Sequence, residues 1–167
     1  MSAAVSQAGV APVRKTIVVA APRETAFRVF TQGFARWWPL ATHKIGAAAA
    51  VEAVIEPRVG GRWYERGTDG VETPWGEVLA WEPPSRLVLV WRIGADWQCH
   101  PELHTEVEVR FIAEDPGRTR VELEHRRLDA FGEKAGEMRG VFDSEGGWTG
   151  LLAAYGKAVA GEAARAG

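Results

Sequence analysis

The sequence predicts a single α+β domain, in which a curved antiparallel sheet of about six to seven strands wraps around a long C-terminal helix. Short segments of β-branched or alternating apolar residues follow one another from residue 15 to residue 127, and turn residues separate them. One long amphipathic segment then closes the chain. An antiparallel sheet must cover its apolar face, and this segment is the longest predicted element available to do so.

The chain opens with a strand followed by a helical region. The β-branched run Lys15–Ala20 predicts the first strand. Pro22 suits the first turn of a helix, where Glu24 lies near the positive end of the helix dipole. Gly33 interrupts this region, which therefore forms either one short helix or two, and Pro39 ends it. Its apolar stripe consists of Phe27, Phe30, Phe34, Trp37 and Trp38.

Six further strands are predicted, and the turns between them are short enough for an antiparallel meander. They cover Val51–Ile55, Arg62–Arg66, Pro74–Trp81, Arg86–Ile93, His104–Ala113 and Thr119–Arg127. Strict alternation places Trp75, Glu77, Leu79 and Trp81 on one face of the third of these strands. Its register stays open, because Val78 and Ala80 on the other face are also apolar.

Two helical segments are predicted after the last strand. The first is a short, weak helix or lid that glycines interrupt, with Phe131, Ala135, Met138 and Phe142 on one face. Trp37–Pro39 is either a hydrophobic plug that closes one end of the sheet or a gate at the cavity mouth that works with Phe131, Met138 and Phe142. The second is the long helix, which Asp143 or Ser144 can cap. Its apolar face consists of Trp148, Leu151, Leu152, Tyr155 and Val159.

Length, charge and cysteine content limit the classes of protein. A chain of 167 residues suits one domain, predicted over residues 14–161, with a disordered tail at 1–13 and a second tail at 162–167. The net charge of -2 disfavours a nucleic-acid partner. Cys99 is the single cysteine, so no internal disulfide forms, which fits the cytoplasm. No signal-peptide pattern or membrane-length apolar run is present, so no membrane partner is expected.

Seven stretches resemble the SRPBCC (START-like, helix-grip) superfamily. They are VRKTIVVAAPRETAFRVFT, FARWWPL, EPRVGGRWYERGTDG, WGEVLAWEPPSRLVLVW, TEVEVRF, TRVELEHRRL and DSEGGWTGLLAAYGKAV. Within the superfamily they are similar to the C-terminal domain type of the activator-of-heat-shock-protein-90-ATPase homologues. The ordered set PRVGGRW, WGEVLAWEPPSRL and GGW carries the specificity. The resemblance implies a helix-grip fold with a cavity, where members bind apolar molecules and some catalyse cyclisation or hydrolysis.

The resemblance also sets expectations about protein partners. The eukaryotic co-chaperone has a further N-terminal domain, whereas only residues 1–13 precede the first predicted domain here. We therefore do not expect a chaperone partner, and a stress or chaperone-accessory role stays an alternative. A homodimer suits a small, aromatic-rich domain, although no residue pattern specifies it.

The main functional hypothesis is a binding protein that holds an apolar or aromatic ligand between the sheet and the last helix. Large aromatic side chains at inward positions favour a lined cavity, and the alternative is that they only fill a core. The candidate ligand-binding residues are Trp38, Trp63, Glu65, Trp75, Leu89, Trp91, Phe111, His125, Met138, Phe142, Trp148, Leu152 and Tyr155.

The alternative hypothesis is a hydrolase or cyclase that uses His125 and Glu65. Glu65 shares the inward face of Trp63, so it is either a paired carboxylate or an acid, a base or an anchor for a cation. His125 alternates with Val121 and Leu123, so it is either a hydrogen-bonded core residue or a general acid/base. We expect a binding protein rather than an enzyme.

The segment Cys99–His104, CHPELH, offers donors for a metal ion. On a strand its alternate residues lie about 6.6 Å apart, which is wide for three ligands on one ion. Pro101 excludes the usual helical histidine pair. We therefore predict a loop and no metal. No cofactor is expected either, because the chain has no dinucleotide fingerprint and Gly60-Gly61 lacks the rest of a phosphate loop.

Overall fold

The computed structural model describes residues 9–166, without the side chains of 163, 165 and 166. The described strands are β1 (Val13–Val19), β2 (Ala50–Ile55), β3 (Arg62–Gly67), β4 (Glu72–Glu82), β5 (Arg86–Trp91), β6 (Thr105–Asp115) and β7 (Arg118–Arg126). The described helices are α1 (Arg23–Thr31), α2 (Phe34–Trp37), a 3-10 helix (Leu128–Lys134), α3 (Ala135–Asp143) and α4 (Trp148–Ala166). Of the predicted tails, residues 1–8 and 167 lie outside the described residues, and α4 continues through most of 162–167.

All the strands form one antiparallel sheet in the order β1-β7-β6-β5-β4-β3-β2. Strands β2 to β7 are a meander, and β1 joins it by pairing with β7. The sheet curves around α4, as in the predicted helix-grip fold, which is therefore confirmed. Among residues 9–166, no helix is long and apolar enough to cross a membrane.

Strand β4 departs from the alternation that the sequence predicts. Its pairing with β5 shifts between Val78 and Ala80, so Leu79 is an extra residue in a β-bulge. Because of the bulge, the side chains on either side of Leu79 do not follow a single alternation. Val78 is buried, Leu79 is 42% exposed and Trp81 packs against the core. Trp75 is also buried in the core, so the common face predicted for Trp75, Glu77, Leu79 and Trp81 holds for the two tryptophans and is wrong for Glu77 and Leu79.

The connection between α3 and α4 also differs from the prediction. Asp143 ends α3 and α4 begins only at Trp148, so neither Asp143 nor Ser144 caps the last helix. The intervening turn is tight, since the Gly147 N–H donates to the Ser144 carbonyl at 2.9 Å. A Cβ atom on Gly147 would collide with the carbonyl oxygens of Val141 and Phe142. Glycine is thus required where the chain turns from α3 into α4.

Candidate ligand cavity

A cavity of about 550 Å³ lies at one end of the sheet, next to the α3–α4 connection. Its wall consists of Trp38, Thr42, His43, Lys44, Ile45, Trp75, Trp91, Ile93, Trp97, Val141, Ser144 and Gly146. These residues come from the loop after α2, from β4, from the end of β5 with the loop that follows, from the last turn of α3 and from the α3–α4 connection. The volume is within the range of small-molecule sites, about 300–1,000 Å³.

Three buried tryptophans form a fixed part of this wall: Trp38, Trp75 and Trp91. Each indole N–H donates to a defined acceptor, namely the His43 carbonyl at 2.8 Å, Glu65 Oε1 at 2.9 Å and the Ile93 carbonyl at 2.9 Å. A ring that is both packed and hydrogen-bonded has one orientation. The wall therefore presents aromatic surface that needs no rearrangement to meet a ligand.

Trp97 contributes a fourth aromatic ring at the exposed rim. Its side chain is 46% exposed, and its backbone has a φ of 60°, in the left-handed region. A side chain in that conformation costs roughly 1–2 kcal/mol, and such strain is typical of functional sites. The turn is held by the Trp97 N–H, which donates to the Gly94 carbonyl at 2.9 Å, and by Asp96, which accepts from the Gln98 N–H at 3.1 Å.

His43 is the one histidine among the described residues that lines this cavity. Its Nε2 lies 2.7 Å from the Gly146 carbonyl oxygen, and its Nδ1 lies 2.8 Å from Thr42 Oγ1. A carbonyl only accepts hydrogen bonds, so Nε2 carries the proton. In the neutral ring Nδ1 is then the unprotonated nitrogen, which accepts from the threonine hydroxyl. The contact with Gly146 also ties the loop after α2 to the α3–α4 connection.

Glu65 anchors the same loop from beneath. Its side chain is 1% exposed, and it accepts hydrogen bonds from the backbone N–H groups of Ile45 at 2.7 Å and Gly46 at 3.0 Å. A third donor is the indole of Trp75. Three donors occupy the carboxylate oxygens, so Glu65 holds the loop and the Trp75 ring in place rather than facing the cavity.

The charge on the cavity wall is of one sign. The Lys44 ammonium donates to the Gly46 carbonyl at 2.6 Å, which leaves two of its three hydrogens for other acceptors. No Asp or Glu of the described chain lines the cavity. A negative charge on a bound molecule would therefore be attracted at the rim rather than opposed.

His125 lies in the core and not in the cavity wall. Its Nδ1 accepts from the Trp148 indole at 3.1 Å, so Nε2 carries the proton and donates to Thr105 Oγ1 at 3.0 Å. The threonine hydroxyl in turn donates to the Trp91 carbonyl at 3.0 Å. Complete burial lowers the pKa of His125 to about 3, so the ring is neutral at physiological pH. Both nitrogens are occupied, which makes His125 a structural support for two tryptophans.

The predicted binding residues divide into two groups. Trp38, Trp75 and Trp91 line the cavity, and their contact with a ligand stays a prediction. The others are buried in the core behind it: Trp63, Glu65, Leu89, Phe111, His125, Met138, Phe142, Trp148, Leu152 and Tyr155. Packed rings fill the space between the sheet and the middle of α4. For example, Trp63 lies 5.6 Å from Trp75 and 5.7 Å from Trp91 between ring centroids.

Comparison with known proteins connects this architecture to a family. The family described as Activator of Hsp90 ATPase homolog 1-like protein matches residues 20–157. The chain belongs to this family. The membership confirms the resemblance that the sequence motifs indicate. No curated protein matches the chain.

The chain is similar in sequence and in fold to two solved structures whose names state a role. The anthrahydroquino-gamma-pyrone synthase Txn09, complexed with SUM, is 39% identical, with a TM-score of 0.63 over 90% of this chain and 97% of that one. The self-sacrificing resistance protein CalC from Micromonospora echinospora is 33% identical, with a TM-score of 0.70 over 91% and 96%. Protein NE0264 from Nitrosomonas europaea is 15% identical and shares the fold.

Sequence reasoning missed the part of the family member's cavity that lies outside its three buried tryptophans. These residues are Val141 in α3 and, in loops, Thr42, His43, Lys44, Ile45, Ile93, Trp97, Ser144 and Gly146. Most of them lie outside regular strands, where the spacing of residues along the chain does not indicate which side chains share a face. The available signal was the segment THKIG directly after WWPL, because polar residues in a loop next to a rigid aromatic element are frequent in binding sites.

The CHPELH segment forms a loop in which the two histidines turn to different partners. His100 Nε2 lies 2.9 Å from Asp96 Oδ1, whereas His104 Nε2 lies 2.7 Å from Glu106 Oε2. In the part of the chain that the structure describes, no three His, Cys, Asp or Glu side chains are grouped to hold a metal ion. The pKa of the Cys99 thiol is raised by burial, so it is not an activated thiolate.

Proposed function

We propose that this protein binds a planar, polycyclic aromatic small molecule in the tryptophan-lined cavity. The observation that carries the proposal is the wall itself: three tethered indoles, with a fourth at the rim, enclose a space of about 550 Å³. Flat rings stack on such surfaces with little loss of conformational freedom. The few polar groups at the rim would fix the orientation of the ligand.

The named relatives support this choice of ligand class. Txn09 is a synthase whose name contains a polycyclic aromatic skeleton, the anthrahydroquinone, and it covers nearly the whole of this chain. CalC is a resistance protein of similar coverage. The name of Txn09 therefore supports a polycyclic aromatic ligand, and CalC supports only a similar fold over nearly the whole chain.

A direct test is titration with 1,8-dihydroxyanthraquinone, followed by tryptophan fluorescence and calorimetry. We expect one site per chain with a Kd on the order of 10–100 µM, given the affinity per atom of ligands of this size. Val141→Trp should weaken binding at least tenfold, because the new ring occupies space that Val141 borders.

The matched control is Glu137→Trp on the exposed surface of the same helix. It adds the same ring outside the cavity and should leave the affinity unchanged. Absence of binding to the wild-type protein, or equal binding by Val141→Trp, would contradict the proposed function.

A further inference from the structure

We infer that the cavity is also catalytic, with His43 as a general base that removes a proton from a bound carbon acid. The substrate class is an aromatic compound with a C–H bond activated by neighbouring carbonyl groups. Lys44 stabilises the negative charge that forms. This inference rests on the proposed function, because it needs a ligand seated against the tryptophans.

The tautomer of His43 provides a defined base. The Gly146 carbonyl fixes the proton on Nε2, so Nδ1 is the basic nitrogen and its hydrogen-bond partner is the Thr42 hydroxyl at 2.8 Å. The Thr42 side chain is exposed and free to give up this contact when a substrate proton arrives. A base oriented through its second nitrogen is the arrangement that general-base catalysis requires.

The loop that carries His43 is held in place before any ligand binds. The His43 N–H donates to the Pro39 carbonyl at 2.9 Å, and the His43 carbonyl accepts from the Trp38 indole at 2.8 Å. Glu65 accepts from the backbone N–H groups of Ile45 and Gly46 in the same loop. The imidazole is therefore fixed relative to the aromatic wall, which lowers the cost of aligning base and substrate.

The surrounding charges favour a developing anion. Lys44 follows His43 directly and lines the same cavity. Glu65 lies behind the loop with both oxygens engaged, and Glu145, in the α3–α4 turn, is exposed and does not line the cavity. An ammonium group at the point where an enolate oxygen forms stabilises the transition state more than the neutral ground state.

The proposed step is a proton transfer. The C–H bond of the substrate breaks, its proton forms a bond to Nδ1, and its electron pair enters the enolate. The imidazolium then returns the proton to carbon or oxygen in a later step. No oxidant, reductant or second substrate is required.

The test uses 5-nitro-1,2-benzisoxazole, a flat probe that reports on a general base. Removal of its C3 proton breaks the N–O bond and releases a coloured nitrophenolate, with the C–H electron pair forming the nitrile. We expect His43→Gln, whose amide still donates to Gly146, to lower kcat/KM at least about 100-fold. Lys44→Met should lower it about tenfold. His100→Gln, a histidine outside this cavity, should stay within about twofold of wild type.

Two further measurements separate chemistry from structure. His43→Gln should still bind 1,8-dihydroxyanthraquinone at one saturable site, with a loss of affinity much smaller than its loss of turnover, and added imidazole should restore turnover of the probe by His43→Ala. If wild-type protein binds the anthraquinone but does not turn over the probe above the buffer rate, the inference fails and the proposed function stands. Turnover by His43→Gln close to wild type also overturns the inference. Absence of anthraquinone binding overturns both.

Discussion

At the scale of single residues, hydrogen bonding and burial assign opposite roles to two histidines. His125 is completely buried, and both of its nitrogens are engaged with core side chains. His43 lies at the cavity rim with one nitrogen anchored to a backbone carbonyl. Alternation along a strand correctly predicts that His125 faces inward. It does not predict that the interior at that point is filled.

The burial of His125 makes the stability of the protein depend on pH. Its pKa is about 3 in the folded protein and about 6.5 in the unfolded chain. Between these values the unfolded state binds more protons, so stability is lost as the pH falls from about 6.5 towards 3. The free energy of unfolding should decrease by up to about 1.4 kcal/mol per pH unit over this window.

Urea denaturation of wild type and His125→Gln between pH 7 and pH 5 measures this contribution. Most carboxylates are still ionised in this pH range, and the comparison uses only the difference in unfolding free energy between the two proteins at each pH. That comparison removes the opposite effect of His100, whose pKa is raised by its hydrogen bond to Asp96. The variant should show a flatter dependence on pH. Parallel profiles would mean that His125 binds protons equally in the folded and unfolded states, which contradicts a lowered pKa in the core.

At the scale of elements, strand β4 determines the shape of the cavity. Gly76 lies opposite Trp63 on one side and Trp91 on the other. A Cβ atom there would collide with the carbonyl oxygen of Val90. The pairing of β4 with β3 also shifts here, from Trp63–Gly76 to Tyr64–Pro74, so Trp75 is itself the extra residue, and its side chain lines the cavity.

Gly76→Ala should therefore destabilise the protein by about 3 kcal/mol or more, because backbone atoms have to move apart. Gly140→Ala in the exposed face of α3 is the matched control, since an added Cβ meets nothing within 4 Å. It should stabilise the protein by up to about 1 kcal/mol. Equal stability of the two variants in urea denaturation would show that β4 adapts to the extra atom.

These elements also show what could be predicted from the sequence. The order and approximate ends of the strands follow from local alternation and turn residues, so they were predictable. The faces of β4 were not, because a bulge arises from the pairing with β5. Trp63 and Trp75 illustrate the limit for the site: both are buried tryptophans on neighbouring strands, and only the packing shows which one borders empty space.

At the scale of the whole molecule, the aromatic residues have two separate uses. Those between the sheet and the middle of α4 form a filled core, in which Phe30 lies 5.9 Å from Phe111 and 5.2 Å from Tyr155 between ring centroids. Those at one end of the sheet, with the loops that meet there, form the cavity. A filled core holds the tryptophan wall rigid, and the loops supply the polar groups that act on a ligand.

The central claim is that an aromatic ligand binds in this cavity, and indole N–H resonances test it most directly. In a ¹⁵N-labelled protein each of the eight tryptophans gives one such signal. On titration with 1,8-dihydroxyanthraquinone, the signals of Trp38, Trp75, Trp91 and Trp97 should shift together and saturate at one equivalent. Trp81, which packs against Phe27 away from the cavity, should keep its position. Shifts confined to Trp81, or no saturable shift at all, would contradict the account.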